Sequence, residues 1–493
     1  MSALANSSRP VELDDVQGLV MVGYKRLTQA SFLLLRVKDA AAARAWLAKA
    51  PVTSAAVATA ERRPDKALQL ALTSEGLRAL NVAADLREGF SLEFVAGMAS
   101  DEARARRLGD VGANAPGYWQ WGAGQHVPHV IVLLYAVPGQ LAAWQQEIET
   151  QCAAAFERIA ALSTSDVQGV EPFGFVDGIS QPELDWKRER AVRDEDQLAY
   201  GNLACIGEFL LGYPNEYGRY TPRPLIDPAR DDAAKLLPRA EDAPEQADLG
   251  RNGCYLVLRQ MRQHVDLLAR ELDRCANGDA GVRERIAESM VGRKKNGDPL
   301  ETSRDPSLAR GARTDTQQQN SFTFREDPRG LRCPLGAHIR RVNPRNADLP
   351  PGPPGILSRL CRMLGFNADA LAHDLVASTR FHRLVRRGRK YEVGTETGLH
   401  FICLAGNITR QFEFVQSAWV MGTKFDGLPD EADALLGSRQ RTLDGQATDG
   451  YSIPQAGSPD MRLSGLPQFV TVLGGAYFFM PGIRALRYLA TAR

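Results

Sequence analysis

Residues 129–136, H-V-I-V-L-L-Y-A, constrain the fold more than any other stretch of the chain. The run is too short and too uniformly apolar for an amphipathic helix, and it is rich in β-branched residues, so it reads as a strand. Leu141, Trp144, Ile148, Cys152, Phe156 and Ile159 follow at spacings of three and four. That places one apolar helical stripe against a sheet. Residues 32–37 read as another strand. Asp39 then offers an N-cap for an alanine-rich helix through Lys49. Leu68, Leu70 and Leu72 alternate with Gln69, Ala71 and Thr73, the pattern of a half-buried strand. Strands and helices alternate, but the strand runs recur in antiparallel-looking sets. The predicted fold class is therefore α+β, beginning with a ferredoxin-like module.

The second half has the same texture. Residues 254–259 predict a strand, and Met261, Val265, Leu268 and Leu272 mark an amphipathic helix. Residues 399–404 predict a strand, 408–419 a helix and 483–490 a last helix. Two strand-like runs, 469–473 and 476–480, flank Gly474-Gly475 and give a hairpin signal. Three stretches read as long connections. They are 183–252, with acidic and proline-rich patches, the polar 293–320, and 346–380 with its L-P-P-G-P-P-G. A chain of 493 residues suggests two or more modules. They are placed at 1–165 and 166–493.

A net charge of +1 argues against nucleic acid or a membrane surface as a partner. The 7 cysteines include no Cys-x-x-Cys pair, so neither a disulfide framework nor a zinc site is indicated. The start M-S-A-L-A-N-S-S-R-P lacks a charged segment followed by an apolar core, and no run reaches the ~20 apolar residues needed to span a bilayer. The expected location is cytoplasmic.

Three stretches carry chemistry. Residues 331–345, L-R-C-P-L-G-A-H-I-R-R-V-N-P-R, set His338 among four arginines. A neutral imidazole is the commonest protein ligand for a transition metal, and arginines suit carboxylates. Residues 171–182, E-P-F-G-F-V-D-G-I-S-Q-P, frame Asp177 with Gly174 and Gly178. A carboxylate in so apolar a segment is costly to bury unless paired or functional. Residues 382–391, H-R-L-V-R-R-G-R-K-Y, place Arg386 after an apolar pair, as if on a strand and pointing inward. Each alone has a plainer reading: a basic turn, an Asp-Gly turn, a solvated basic strand.

Together the three stretches resemble the dye-decolorising peroxidase family. Gly174, Asp177 and Gly178 match its G-x-x-D-G signature. G-A-H-I-R-R-V-N-P-R matches the proximal histidine segment, and H-R-L-V-R-R-G the distal arginine segment. D-D-V-Q-G at 14–18, G-E-F-L-L-G-Y-P-N-E-Y-G at 207–218, V-G-R at 291–293 and G-G-A-Y-F-F at 474–479 extend the resemblance over nearly the whole chain.

The resemblance implies two ferredoxin-like modules around a dimeric α/β-barrel-like core of antiparallel sheets. It implies a peroxidase that reduces hydrogen peroxide to water and oxidises dyes, phenolics or other small aromatic one-electron donors. The cofactor implied is non-covalent haem b, in keeping with the absence of Cys-x-x-Cys-His. His338 would be the axial iron ligand, Asp177 the proton shuttle and Arg386 the charge stabiliser. Leu399 and Phe401, in G-L-H-F, match the residues covering the distal face. Arg340 and Arg345 are candidates for the propionates. Asp433, in E-A-D-A-L-L-G, is the first candidate for the acidic partner of His338 and Glu413 the second. Some relatives carry asparagine two residues after the distal arginine, where this chain has Gly388. A homo-oligomer is a further expectation. A haem-stripping protein, a haem sensor or store, and a shell-packaged enzyme are alternatives. The Asp177–Arg386 pair argues against the sensor, since a mere binder needs no proton shuttle.

Overall fold

The computed structural model describes residues 10–165, 169–189, 202–302, 315–345 and 378–491. Parts of the three predicted connections (190–201, 303–314 and 346–377) lie outside the described residues.

The core is a nine-stranded sheet in which every strand pair is antiparallel. Its strands are β1 (Gln29–Val37), β2 (Lys66–Leu72), β3 (Val130–Ala136), β4 (Phe156–Ser163), β5 (Cys254–Gln263), β6 (Val385–Arg386), β7 (Arg389–Val393), β8 (Glu396–Ala405) and β9 (Val470–Met480). The order is β6-β8-β5-β9-β2-β3-β1-β4, with β7 also paired to β8. The architecture is α+β. The early and late strands join where β9 meets β2, at Phe479↔Leu72.

The run at 129–136 is apolar throughout because both faces of its strand are buried. Val130, Val132 and Leu134 pack into one core cluster, and Ile131, Leu133 and Tyr135 into another. The second cluster draws Phe32 and Leu34 from β1, Leu256 and Leu258 from β5, Ile402 and Leu404 from β8 and Phe478 from β9 onto one common interior. The outer strands also approach each other. Ser165 N donates to Lys390 O at 3.0 Å, and His400 Nε2 meets Ser163 O at 2.9 Å. The sheet thus curls toward a barrel around this interior.

Helices cover the outside. α1 (Ala40–Leu47) starts on Asp39, whose side chain accepts from Ala42 N at 2.7 Å. α2 (Leu141–Cys152) buries Trp144, Ile148 and Cys152. After β5 come α3 (Val265–Ala276) and α4 (Ala280–Val291), then the short α5 (His338–Val342), and α6 (Ile483–Thr491) ends the described chain.

Five sequence expectations need correction. β2 is not half-buried: Gln69 is fully covered, because its amide donates to Tyr24 Oη and Thr53 O and accepts from Leu19 N. The helical stripe from Leu141 stops at Cys152, and Phe156 and Ile159 belong to β4. Met261 lies in β5, and the amphipathic helix starts only at Val265. Residues 409–420 wind as π-helix in two segments rather than as α-helix. Gly474-Gly475 makes no hairpin. β9 runs straight through it with a register shift between Val472 and Gly474, because Trp121 packs where a side chain at 474 would sit. No helix among the described residues is long and apolar enough to cross a membrane.

Candidate active site

One face of the β6–β8–β5–β9 part of the sheet forms a wall of a cavity, and α5 forms part of the opposite wall. The lining includes Asp177, Arg386, Leu399, Phe401, His338 and Arg345. Three stretches far apart in sequence therefore converge on one space.

α5 is barely more than one turn, yet its helical period sorts its residues cleanly. His338, Ile339 and Val342 face the cavity. Arg340 and Arg341 lie on the other side of the turn and are buried. His338 Nδ1 lies 2.9 Å from Asp433 Oδ2. Asp433 is fully buried, and its other oxygen accepts from the amides of Leu435 and Leu436, both at 2.9 Å. Burial alone would push this carboxyl up. The charge of and hydrogen bond to His338, with Arg341 and the Leu436 amide, outweigh burial and hold it at about 2. An ionised Asp433 favours a proton on Nδ1, so that the neutral imidazole would carry its lone pair on Nε2.

Arg341 ties this wall together. It donates to the carbonyls of Trp419, Gly422 and Glu431. Arg340 does not line the cavity. It donates to Asp327 O at 2.9 Å and Cys333 O at 3.0 Å and stacks on Phe324, because its position on α5 points it away from His338. Arg345 does line the cavity, and its guanidinium donates to Asn320 and Phe322 carbonyls. Glu413 is committed elsewhere: Tyr477 Oη donates to it at 2.8 Å and Arg104 pairs with it at 3.0 Å.

On the sheet side, Arg386 Nη1 donates to Asp177 Oδ1 at 2.9 Å across a sequence separation of 209. The Asp177 loop is built for this. Gly174 and Gly178 take φ of +94° and +80°, a left-handed backbone that side chains rarely adopt. The Asp177 amide donates to Gly169 O at 3.0 Å, and the Gly178 amide donates to Asp177 Oδ1 at 2.6 Å. Asp177 lies deep in the protein, but nearly half of its side chain (47 %) is uncovered, facing the cavity. Burial pushes its carboxyl up. Arg386, the Gly178 amide and His338 together overcome that and hold it below the usual aspartate value.

Sequence reasoning missed four contributors. Gln181 acts as a strand partner for Arg386, accepting from its amide at 2.9 Å and donating to its carbonyl at 3.2 Å. Glu171 accepts from the amides of Phe173 and Phe175 and from Gln263, cinching the Asp177 loop. Both sit inside the E-P-F-G-F-V-D-G-I-S-Q-P stretch, so the signal was present but silent about roles. Arg259 and Asp110 also line the cavity, and nothing in their sequence surroundings marked them. At Gly388 any side chain would strike His400 O at 2.7 Å, so no third donor is offered from that position.

No family model matches the chain. Among curated proteins it is 29% identical to dye-decolorizing peroxidase msp1 of Mycetinis scorodonius, over 99% of this chain and 89% of that one. It is 26% identical to dye-decolorizing peroxidase AauDyP1 of Auricularia auricula-judae, over 98% of this chain and 88% of that one. Among solved structures, a dye-decolorizing peroxidase in complex with 2,6-dimethoxyphenol shares the fold with a TM-score of 0.70 at 23% identity, covering 97% of this chain and 100% of that one. The fungal DyP-type peroxidase from Auricularia auricula-judae gives a TM-score of 0.70 at 24% identity, covering 98% and 100%. The relatives matched over nearly the whole chain and the structural neighbours are alike dye-decolorizing peroxidases, oxidoreductases that act on peroxide, and the chain shares their α+β fold.

Proposed function

We propose that the protein is a haem peroxidase in which His338 ligates the iron, Asp177 moves the proton and Arg386 stabilises charge as the peroxide bond breaks. The observation that carries this reading is the Asp177–Arg386 contact of 2.9 Å in a cavity whose other wall presents His338.

The residues present fit haem. His338 offers one nitrogen to the cavity while Asp433 holds the other. Among the described residues, no group of three or more His, Cys, Asp and Glu side chains is placed to hold a metal ion. A single imidazole facing a cleft with broad apolar walls suits a metal that arrives inside a macrocycle. Val342, Leu435, Leu436, Leu399, Phe401 and Val472 give that cleft apolar walls. Arg345 on the cavity wall suits a propionate carboxylate. Haem in this cavity would supply the redox centre at which peroxide accepts two electrons; haem b, held without covalent attachment, is the form we assign.

The chain's own residues would do the rest. Asp433 raises the basicity of His338 through Nδ1. Asp177, ionised below the usual aspartate range, accepts a proton from hydrogen peroxide at one oxygen and returns it to the other oxygen, which leaves as water. Arg386, aimed by Gln181, supplies a fixed positive charge where negative charge develops on the departing oxygen. Leu399 and Phe401 limit water on the sheet side. The two electrons are then replaced one at a time by small aromatic donors such as phenols and dyes, and the second water forms.

The test is reconstitution with haem, followed by stopped-flow mixing with hydrogen peroxide and then with a phenolic donor or dye. The expected result is a Soret band that changes with peroxide and returns with the donor. A Soret band that does not respond to peroxide would leave a binding protein instead.

A further inference from the structure

The cavity holds a second aspartate–arginine pair to which the proposed reaction assigns nothing. Arg259 lies on β5 directly opposite Phe401 of β8, and Arg386 on β6 lies opposite Cys403 of β8. Directly paired residues point to the same face, as do residues two apart on one strand. Arg259, Phe401, Cys403 and Arg386 therefore share one face of the sheet. Two strand spacings across and two residues along put the arginine Cα atoms about 12 Å apart.

Arg259 Nη2 pairs with Asp110 Oδ1. Both residues are buried, at 3 % and 1 % exposure. Their remaining polar atoms, Arg259 Nη1 and Asp110 Oδ2, have no hydrogen-bond partner among the described residues. A buried donor and a buried acceptor left open on one ion pair cost stability unless something takes them up. Leu108, Phe412, Val415, Val470 and Val472 also line the cavity, and the Arg259 guanidinium lies 6.0 Å from the centre of the Phe412 ring. Two polar residues of the lining are committed elsewhere: Asn114 Oδ1 accepts from Gln468 and from Val472 N, and Gln416 donates to Leu108 O.

We propose that Asp110 and Arg259 form an internal binding site for the hydroxyl of a small phenol, which donates to Asp110 Oδ2 and accepts from Arg259 Nη1 while its ring packs against Phe412 and the neighbouring valines. A hydroxyl, donor and acceptor at once, matches an ion pair that has one open acceptor and one open donor. A carboxylate would meet Asp110 with like charge, and an apolar molecule would leave both atoms open. Burial pushes the Asp110 carboxyl up to about 6 even against Arg259, the state expected of a pair that is short of partners. The site deepens the peroxidase reading and rests on it for its use: a phenol held here lies on the same sheet face as Arg386.

The probe is phenol itself, titrated into haem-loaded protein by equilibrium dialysis, with proton relaxation of phenol by the ferric iron measured in parallel. Wild type should bind one phenol per chain and show relaxation. Asp110→Asn and the conservative Arg259→Lys should weaken binding about tenfold or more and abolish the relaxation, with the Soret band unchanged. Asp177→Asn should leave phenol affinity unaltered. Unchanged affinity and relaxation in both Asp110→Asn and Arg259→Lys overturn the site, as does equal loss in Asp177→Asn. Failure to take up haem would sink the peroxidase reading instead. Dialysis of the haem-free chain still decides this proposal by the same comparison of variants.

Discussion

Replacing Arg386 with leucine separates the two roles proposed at the peroxide. The wild-type guanidinium donates to Asp177 at 2.9 Å and to Ser180 O at 3.4 Å, and Gln181 pins its backbone. Leucine keeps much of the side-chain volume and the strand geometry, and removes the charge. One fixed donor lost at a developing negative charge costs about 3–4 kcal/mol, or ~10²–10³ in rate. The Arg386 side chain is 33 % uncovered, so solvent screens part of that charge and places the loss near the lower end, about 10². A second effect falls on Asp177. Burial raises its carboxyl, and Arg386 is the largest influence lowering it. Without the arginine, burial wins and the carboxyl rises. A carboxylate with a depressed pKa acts as a base above that pKa and is lost as pH falls through it. In Arg386→Leu the loss must therefore begin at higher pH than in wild type. The measurement is the second-order rate constant for the spectral change of haem-loaded protein with hydrogen peroxide, taken from acidic to neutral pH. Arg386→Leu should be about 10² slower at neutral pH and slower still at acidic pH, because its acidic limb moves upward. Asp177→Asn should also be slow, but its deficit should shrink as pH rises and peroxide anion becomes available. If Arg386→Leu stays within about threefold of wild type, or its acidic limb does not move, the charge-stabilising role is wrong. If Asp177→Asn matches wild type throughout, the shuttle is wrong.

Three further outcomes are expected. His338→Ala should fold, by circular dichroism, but show no stable Soret band after haem addition and gel filtration; full haem occupancy would mean another ligand. Asp433→Ala should lower haem affinity about 10–100-fold and raise the reduction potential, because Nδ1 loses the partner that makes the imidazole more basic; an unaltered potential would deny Asp433 that influence. Leu134→Ala, at a fully buried position in β3, should cost about 2–5 kcal/mol in urea unfolding, and a cost under about 1 kcal/mol would contradict the two-faced burial of that strand.

The parts of this molecule legible in the sequence are those where neighbours in sequence determine the outcome. The helix cap at Asp39 and the buried run at 129–136 are of this kind. So are the glycine-framed Asp177 and the single imidazole at His338. What stayed hidden depends on partners far along the chain. Gln69 looked like the polar face of a half-buried strand, and only Tyr24, Thr53 and Leu19 explain its burial. Gly474-Gly475 looked like a turn until Trp121 was seen against it. Arg340 and Arg345 were equal candidates by sequence. The fold separates them: Arg340, on α5, turns to Asp327, while Arg345, three residues past the end of the helix, lines the cavity. The choice of Asp433 over Glu413 likewise turns on Tyr477 and Arg104 occupying Glu413.

One sheet face carries two aspartate–arginine pairs, and their surroundings explain why only one suits proton transfer. Asp177 has Arg386, the Gly178 amide and His338 acting against burial, so its carboxyl is held low and is a free base over a wide range. Asp110 has Arg259 alone against nearly complete burial, and its carboxyl is pushed up to about 6. The Asp177 side chain opens onto the cavity, whereas Asp110 is 1 % exposed. A base that must accept and return a proton within one turnover needs both an ionised resting state and room for the reacting atoms. Asp177 has both. Asp110 keeps its proton to a higher pH and is far more closely walled in, and it offers a binding site instead: a buried acceptor and a buried donor on one ion pair. The same two residue types on the same wall thus support two different tasks, set by how many partners each carboxylate has and by how much of it the cavity uncovers.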